Sequence, residues 1–377
     1  MSDVYISSCN ILSPLGITSA DNFSQLKNGI SGIKQHTNSC ISDKPFYASI
    51  FNDKNTFNWN EGGNYTIFEQ LILASVSEAM VRSGIDIGDI KTGMIISSTK
   101  GNIGLLESDT YLPNLRNRIA LHTSAKLVSD YFNMVNPPVI ISNACISGLL
   151  GIIVGMRMIQ DGFYDNMVIT AADVMTKFVL SGFQSLNAIS TGRCKPFDAE
   201  RSGITLGEGA ATIIITSNKK NTMGIKVLAG SANNDANHIS APSRTGEELA
   251  HAINVTLHDA YLSKDDIDFI SAHGTGTIYN DEMEAKAFNL THLQTTPVNS
   301  FKGYYGHTLG AAGLIESVVS IHSLQENLIL PNMGFKQLGV TVPLNICTTL
   351  LQSPVKNILK TASGFGGCNA AVAFGKL

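Results

Sequence analysis

The stretch VIISNACISGLLGIIVGMRM, from Val139 to Met158, decides how the chain folds around its most informative cysteine. It opens after two prolines with a short β-branched run, which predicts a buried strand. Apolar residues then recur at helical spacing from Ile146, so Cys145 lies where a strand turns into a helix. Backbone N–H groups and the positive end of the helix dipole favour a thiolate at such a turn. The sequence therefore predicts a nucleophilic cysteine.

The same cysteine is also consistent with a small buried hydrophobic residue. Gly148 and Gly151, on the helix that follows, leave room for a close neighbour. Whether Cys145 is structural or reactive depends on what the rest of the chain places around it.

Composition narrows the class of protein. A chain of 377 residues suits two domains or one double domain, and 44% hydrophobic against 15% charged residues predicts a compact enzyme or oligomer. A net charge of −4 with scattered basic residues argues against nucleic acid. No apolar run reaches the roughly 18 residues of a membrane span. The opening MSDVYISS lacks a signal-peptide pattern, so neither secretion nor membrane insertion is expected.

The six cysteines show no C-x-x-C pair and no metal-ligand spacing. Free thiols are typical of a reducing compartment, so we expect a cytoplasmic protein without a metal site.

Strand and helix patterns alternate along the whole chain. One series leads to the strand before Cys145, and a second series, which starts at Ile225, places His273 at the end of a strand over 267–272. We predict an α/β protein with two similar halves, mixed sheets and buried helices, divided as residues 1–220 and 221–377. Within each half, parallel strands joined by helical crossovers are expected.

Four stretches at strand ends or glycine-rich turns carry residues capable of chemistry. Taken singly, each has an ordinary structural explanation: a core or surface histidine, a solvated lysine, a helix-start pair of carboxylates, or a simple turn. The four are NACISG around Cys145, SAHGTGTIYNDEME over 271–284 with His273, SFKGYYGHTLGAAG over 300–313 with Lys302 and His307, and GFGGCN over 364–369.

Together these stretches resemble the β-ketoacyl-acyl-carrier-protein synthases, condensing enzymes of the thiolase fold. The resemblance covers nearly the whole chain, because it also includes ILSPLG near the N-terminus and KPFDAERSGITLGEGAA over 195–211. The joint presence of these blocks in this order is highly specific. It implies an acyltransferase that condenses an acyl thioester with malonyl-acyl-carrier protein, with loss of carbon dioxide and without a cofactor. The product chain is two carbons longer.

The resemblance implies a role for each residue that matches a family motif. Cys145 takes the acyl chain from its carrier, His273 and His307 support decarboxylation and condensation, and Lys302 is the nearby cation. These roles make physical sense, since two histidine N–H groups can stabilise an enolate oxygen. A neighbouring cation keeps histidines neutral.

The resemblance also implies the surroundings of the reacting atoms. The backbone N–H groups of Cys145 and Phe365 form an oxyanion hole, and Phe365 gates the acyl pocket. Glu284 is the carboxylate that supports the arrangement of the catalytic residues, and Asp281 lies close to it in the sequence.

The chain departs from the family pattern at several positions. Ile278 stands where proline is usual, Cys368 where threonine is common, and Ser363 where an aromatic residue is common. The chain is also shorter than typical members of the family, in the polar segment 36–64 and around 105–115. The polar composition of 36–64 predicts a surface excursion. The resemblance places both segments near the acyl entrance and the dimer surface, so acyl-chain length and partner choice stay open.

Three alternatives remain beside the main interpretation. One is a ketosynthase of a specialised polyene or polyketide pathway, and another is a chain-length partner subunit that lacks the nucleophile. The third is a thiolase, for which Cys368 would be the second catalytic cysteine; the two histidines favour decarboxylation instead. The expected partners are an acyl carrier protein and a second copy or a related chain.

Overall fold

The computed structural model describes residues 2–52, 64–108, 114–236 and 241–377. The strands in these ranges are β1 Val4–Leu12, β2 Lys34–His36, β3 Phe46–Ser49, β4 Thr92–Ser97, β5 Val139–Ile141, β6 Asn166–Asp173, β7 Leu206–Gly207, β8 Gly209–Thr216, β9 Ile225–Asn234, β10 Phe269–Ser271, β11 Pro297–Asn299, β12 Leu328–Ile329, β13 Asn345–Ile346, β14 Leu351–Gln352, β15 Asn357–Gly364 and β16 Cys368–Lys376. The helices are α1 Ser19–Lys27, α2 Ile67–Val81, α3 Leu115–Arg118, α4 Leu121–Tyr131, α5 Ser147–Gln160, α6 Lys177–Ser185, α7 Glu247–Asp259, α8 Ile278–Leu290, α9 Lys302–Tyr305 and α10 Ala312–Glu326.

Most predicted helices and strands are present, with their ends moved by a few residues. The chain forms a 3₁₀ turn at Leu309–Ala311 directly before α10 begins. This turn approaches β6 closely: a Cβ on Gly310 would lie 2.9 Å from the carboxylate of Asp173.

The main sheet of the described residues repeats one topology twice. Its eleven strands run in the order β13-β11-β10-β15-β16-β9-β1-β8-β6-β4-β5. The order β5-β4-β6-β8-β1 in the first half matches β11-β10-β15-β16-β9 in the second, and corresponding pairs share the same direction. The predicted α/β fold with two similar halves and mixed sheets is confirmed.

The expectation of parallel strands holds for only part of each half. β4, β5 and β6 are parallel, as are β10, β11 and β15, whereas β8 and β16 run antiparallel to their neighbours. In the second half the cause is visible in the sequence, since three residues between β15 and β16 are too few for a parallel crossover.

Two buried helices, α5 and α10, lie between the strands of the two halves. α5 packs on β4 and β6 of the first half and on β9 and β16 of the second, while α10 contacts β8 and β15. Glycines allow the two helices to touch: a Cβ on Gly148 would lie 2.9 Å from Leu314 N, and one on Gly313 2.9 Å from Leu149 N. The space that the sequence predicts beside Gly148 is filled by α10.

The polar segment 36–64 is more ordered than predicted where it is described. β3 pairs in parallel with β7, and Phe46, Ala48 and Ser49 are buried, so the expected surface excursion is wrong for this part. The pairing joins residues far apart in the chain, which local patterns do not reveal. Residues 53–63 of this segment, and 109–113 of the segment around 105–115, lie outside the described residues.

The predicted site residues all come just after strands of the main sheet, in both halves of the fold. Cys145 follows β5, His273 follows β10, and Lys302 and His307 follow β11. Among the described helices, none is long and apolar enough to cross a bilayer.

Candidate active site

Cys145 lies in a strained turn between β5 and α5. Ala144 has a φ of +43°, a conformation that residues with a side chain seldom adopt. Ser147 holds the turn: its hydroxyl accepts the N–H of Asn143 at 2.8 Å and donates to the carbonyl of Ala144 at 2.7 Å. The strand-to-helix turn that the sequence predicts is therefore present, with the cysteine just ahead of the helix.

The predicted preference of Cys145 for the thiolate is wrong in the resting site. Burial raises the pKa of the Cys145 thiol to about 12, with a smaller contribution from Cys368; Lys302 and the Phe365 N–H act in the opposite direction. The side chain is 9% exposed. A helix dipole contributes only about 0.3–2 kcal/mol, which is less than the desolvation of a thiolate costs here.

His273 is fixed by the backbone of β10 and by Lys302. Both residues are buried, and the Lys302 ammonium donates to the carbonyl of His273 and lies 3.2 Å from its Nδ1. Because an ammonium group can only donate, Nδ1 is the acceptor. The ring proton then sits on Nε2, which leaves a donor for the space around Cys145.

His307 is held in the same tautomer by a different group. It follows α9, and its own backbone joins Thr205 and Gly207 through hydrogen bonds of 2.6 and 3.0 Å. The N–H of Leu309 donates to His307 Nδ1 at 3.2 Å. His307 therefore also carries its proton on Nε2.

The two histidines meet Cys145 in one buried cluster. One nitrogen of each ring and the Cys145 sulfur all lie within 4.8 Å of one another, and the ring centroids are 5.2 Å apart at 83°. Burial lowers the pKa of both histidines well below 6.5, and the charge of Lys302 lowers it further. The site thus combines one thiol with two neutral N–H donors.

Glu284 and Asp281, both buried on α8, organise the loop behind His273. Glu284 accepts the N–H groups of His273 and Gly274 at 2.7 and 2.6 Å, and Asp281 accepts that of Thr275 at 3.0 Å. Burial raises the pKa of Glu284 to about 7 and also raises that of Asp281. These carboxylates accept hydrogen bonds from the backbone of the loop rather than from the Cys145 thiol.

The glycine-rich turn between β15 and β16 lies directly against the cysteine. A Cβ on Gly364 would lie 2.9 Å from the backbone N of Cys145, so only glycine fits there without movement. The N–H of Phe365 points to the Cys145 sulfur. The turn therefore places the backbone N–H of Phe365 beside the sulfur and Gly364 beside the backbone of Cys145.

A cavity of about 360 Å³ opens onto this cluster. Phe365 is 42% exposed at its edge and packs on Phe183 of α6, with ring centroids 5.7 Å apart. Of the described residues that line the cavity, Cys145 is the one cysteine. Cys368 instead lies against the carbonyls of Asn143 and Phe365.

Cys145, His273 and His307 are also residue types that could bind a zinc ion. The surroundings do not fit such an ion, since both Nδ1 atoms are already used and the Nζ of Lys302 brings positive charge close to the histidines. The residues present fit a metal-free site better.

Asp173, Glu316 and Lys360 are buried charged residues that the sequence did not single out. Asp173 accepts the N–H of Gly310 at 2.7 Å and the hydroxyl of Ser98 at 2.8 Å, which joins the start of the α10 segment to the first half of the sheet. Glu316 lies 2.6 Å from both Lys302 and Lys360. A charged residue inside a strand or helix looks like a solvated one in sequence, so only their burial identifies them.

Comparisons with known proteins show the family to which the chain is similar. The family model described as Beta-ketoacyl synthase, N-terminal domain, matches residues 1–221, and that described as Beta-ketoacyl synthase, C-terminal domain, matches residues 225–336. A curated relative, 3-oxoacyl-[acyl-carrier-protein] synthase 2 of Coxiella burnetii, is 26% identical over 99% of this chain and 98% of its own length.

Solved structures share the same fold over the full length. A ketosynthase of a type II polyketide synthase, solved in complex with its acyl-carrier protein and bound to a hexaketide, has a TM-score of 0.90 at 21% identity, with complete coverage of both chains. A ketosynthase from Xenorhabdus doucetiae, solved with its chain length factor, has a TM-score of 0.86 at 25% identity and covers 100% of this chain and 98% of that one.

Proposed function

This chain belongs to the beta-ketoacyl synthase family, and we propose that it condenses an acyl thioester with malonyl-acyl-carrier protein. Cys145 is the acyl acceptor, and His273 and His307 stabilise the enolate that forms when malonyl loses carbon dioxide. The observation that carries the proposal is that one thiol and two neutral Nε2–H donors converge on one cavity. The curated relative and the structural neighbours support it.

In the first step the acyl group moves from the carrier to Cys145. The Cys145 sulfur attacks the thioester carbonyl, and the resulting oxyanion is stabilised by the N–H groups of Cys145 and Phe365. The bond between the carbonyl carbon and the carrier sulfur then breaks. The carrier leaves as a thiol with the proton that Cys145 gives up, so a thiol with a raised pKa is not a barrier at equilibrium.

In the second step malonyl-carrier loses its carboxylate as carbon dioxide. The electrons of the broken C–C bond form an enolate, whose oxygen accepts from the Nε2–H groups of His273 and His307. The enolate carbon attacks the acyl thioester on Cys145, and the C–S bond breaks. The Cys145 sulfur takes a proton from solvent, and the product is a 3-ketoacyl-carrier that is two carbons longer.

Lys302 and Glu284 act on the histidines and not on the substrate. The ammonium of Lys302 keeps Nδ1 of His273 an acceptor, and Glu284 holds the backbone N–H groups of the loop that bears His273. Phe365 supplies the second oxyanion donor, and its ring, tilted against Phe183, lies at the cavity that would admit the acyl chain.

A specialised polyene or polyketide ketosynthase is the second candidate. It is supported by two curated Streptomyces relatives that are named putative polyketide beta-ketoacyl synthases, 28% and 29% identical over about four fifths of this chain. A non-catalytic chain-length subunit is disfavoured because Cys145, His273 and His307 are all present and assembled. To distinguish the pathways, acyl carriers with saturated, polyunsaturated and poly-β-keto chains would be offered in parallel. The chain that accumulates as acyl-enzyme indicates the pathway.

Assembly, location and domain division are parts of the same proposal. We infer a homodimer, or a heterodimer with a related chain, since β5 is an outermost strand with an edge available for pairing. The free cysteines fit a cytoplasmic protein. Residues 1–220 would supply the nucleophile, and residues 221–377 the histidines, the lysine and the glycine-rich turn. Light scattering tests the assembly, because a 40.3 kDa monomer that condenses substrates would contradict it.

The experiment that tests the chemistry separates its two steps. Cys145→Ala should abolish acyl-enzyme in intact-protein mass spectrometry yet leave carbon dioxide release from malonyl-carrier measurable. His273→Ala or His307→Ala should reduce that release by on the order of a hundredfold, the scale for losing one oxyanion donor. Decarboxylation that survives both histidine substitutions would refute the assignment of roles.

A further inference from the structure

We propose that Lys360 is a positioning residue for this reaction, because its buried ammonium group holds the backbone that presents His273 and shares Glu316 with Lys302. The inference rests on the proposed condensing activity and adds a residue to it. No motif carries Lys360: it lies in the strand pattern before the glycine-rich turn, and its sequence context is that of an ordinary strand lysine.

Three carbonyl groups surround the Lys360 ammonium. The side chain is fully buried in β15, and Nζ donates to the carbonyls of Ser271 and Ala272 at 3.2 Å each and of Thr361 at 2.7 Å. Ser271 and Ala272 are the two residues directly before His273. Lys360 therefore ties the end of β10, where the histidine begins, to the neighbouring strand β15.

The oxygen atoms around Nζ favour the ammonium form of Lys360, whereas burial lowers its pKa and Glu316 counteracts that shift. An ammonium group has three N–H donors, which match the three carbonyls, whereas a neutral amine has only two and would turn its lone pair towards an oxygen. Glu316 Oε2 lies 2.6 Å from Nζ and supplies the opposite charge. A buried charge with such partners is stable, but would be costly without them.

Glu316 connects Lys360 to the histidine by a second route. Its other oxygen, Oε1, lies 2.6 Å from Lys302 Nζ, and Lys302 contacts both the carbonyl and Nδ1 of His273. Three successive carbonyls, of residues 271 to 273, are thus held by two lysines that one carboxylate bridges. Lys302, Lys360 and Glu316 together carry a formal charge of +1, beside the Glu284 carboxylate that holds the His273 backbone.

A role in folding alone predicts a different outcome for substitution. Replacing a buried ionic group with a well-packed apolar side chain is often neutral or stabilising. Lys360→Met would then give a stable and fully active protein. If Lys360 positions His273, the same variant stays folded but loses the alignment of the Nε2–H donor, and a misplacement of about 1 Å can cost about a hundredfold in rate.

The test measures wild type and Lys360→Met in three assays: release of carbon dioxide from malonyl-carrier, acyl loading of Cys145 by mass spectrometry, and the thermal unfolding midpoint. We expect kcat for decarboxylation to fall roughly tenfold to a hundredfold, with KM for malonyl-carrier and acyl loading unchanged. The matched control is Ile358→Val, in the same strand and equally buried, which should leave decarboxylation unaltered.

A second variant keeps the test decisive. Lys360→Ala leaves space among the same oxygens, so methylammonium chloride should restore part of the decarboxylation rate, whereas tetramethylammonium chloride at equal ionic strength should not. Full activity of Lys360→Met, absence of rescue, or failure of both variants to fold would overturn the positioning role. A wild-type protein that releases no carbon dioxide would instead refute the condensing activity itself, so the two failures are distinguishable.

Discussion

The most informative perturbation of the oxyanion site is the addition of one methyl group, Gly364→Ala. The new Cβ would lie 2.9 Å from the backbone N of Cys145 and 2.9 Å from the Cys368 sulfur. Ordinary contact begins at 3.4 Å, so the turn and the cysteine backbone must separate by about 0.5 Å. Since oxyanion donors work at about 2.7–3.1 Å, this separation takes one N–H out of range.

Loss of one such donor typically lowers kcat by about 10²–10³-fold, or about 2.7–4 kcal/mol. We therefore expect Gly364→Ala to lose acyl transfer and condensation by about this factor, while decarboxylation of malonyl-carrier, which depends on the two histidines, stays near wild type. Single-turnover acyl loading and carbon dioxide release, measured on the same preparation, provide the comparison.

Gly366→Ala is the matched control in the same turn. Gly366 has a φ of +91° but no atom within 4 Å of its would-be Cβ, so this variant adds backbone strain without the contact. It should lose stability and retain acyl transfer. If folded Gly364→Ala transfers acyl groups at the wild-type rate, or if it loses both steps equally, the placement of the oxyanion donors is refuted.

Three further outcomes follow from burial and charge. In limited iodoacetamide labelling, peptide mapping should find the exposed Cys40 modified before Cys145, because burial raises the pKa of Cys145 to about 12; earlier labelling of Cys145 would restore the activated thiol that the sequence predicts. Burial lowers the pKa of His322 in the folded protein to about 4. Between pH 4 and 6.5 the unfolded chain therefore binds one proton that the folded protein does not. The free energy of unfolding decreases as the pH falls through that window. Urea titrations should show His322→Gln flattening this dependence, whereas the exposed His258→Gln should not. Glu284→Gln leaves one buried backbone N–H without its carboxylate acceptor, so the free energy of unfolding should drop by about 1–3 kcal/mol, and an unchanged urea midpoint would contradict its role in holding the loop.

The sequence predicts where the candidate site residues lie because their motifs follow strands, and the family resemblance predicts their roles. A strand followed by Cys145 and an apolar helical pattern predicts the turn, and the alternation of strands and helices predicts two similar halves. Both follow from local spacing and breakers, which act over a few residues. The small pairing of β3 with β7 was missed for the same reason, since its partners are distant in the chain and each strand is short.

The protonation states of the site were decided by the tertiary structure. Local sequence places a helix N-terminus beside Cys145 and predicts a thiolate, yet burial by both halves of the fold outweighs the dipole and keeps the thiol protonated. Likewise Lys360 and Glu316 look like surface charges in their strand and helix, and become an internal network only when β15 and α10 pack against β10. Desolvation depends on every atom that surrounds a group, and most of those atoms come from distant parts of the chain.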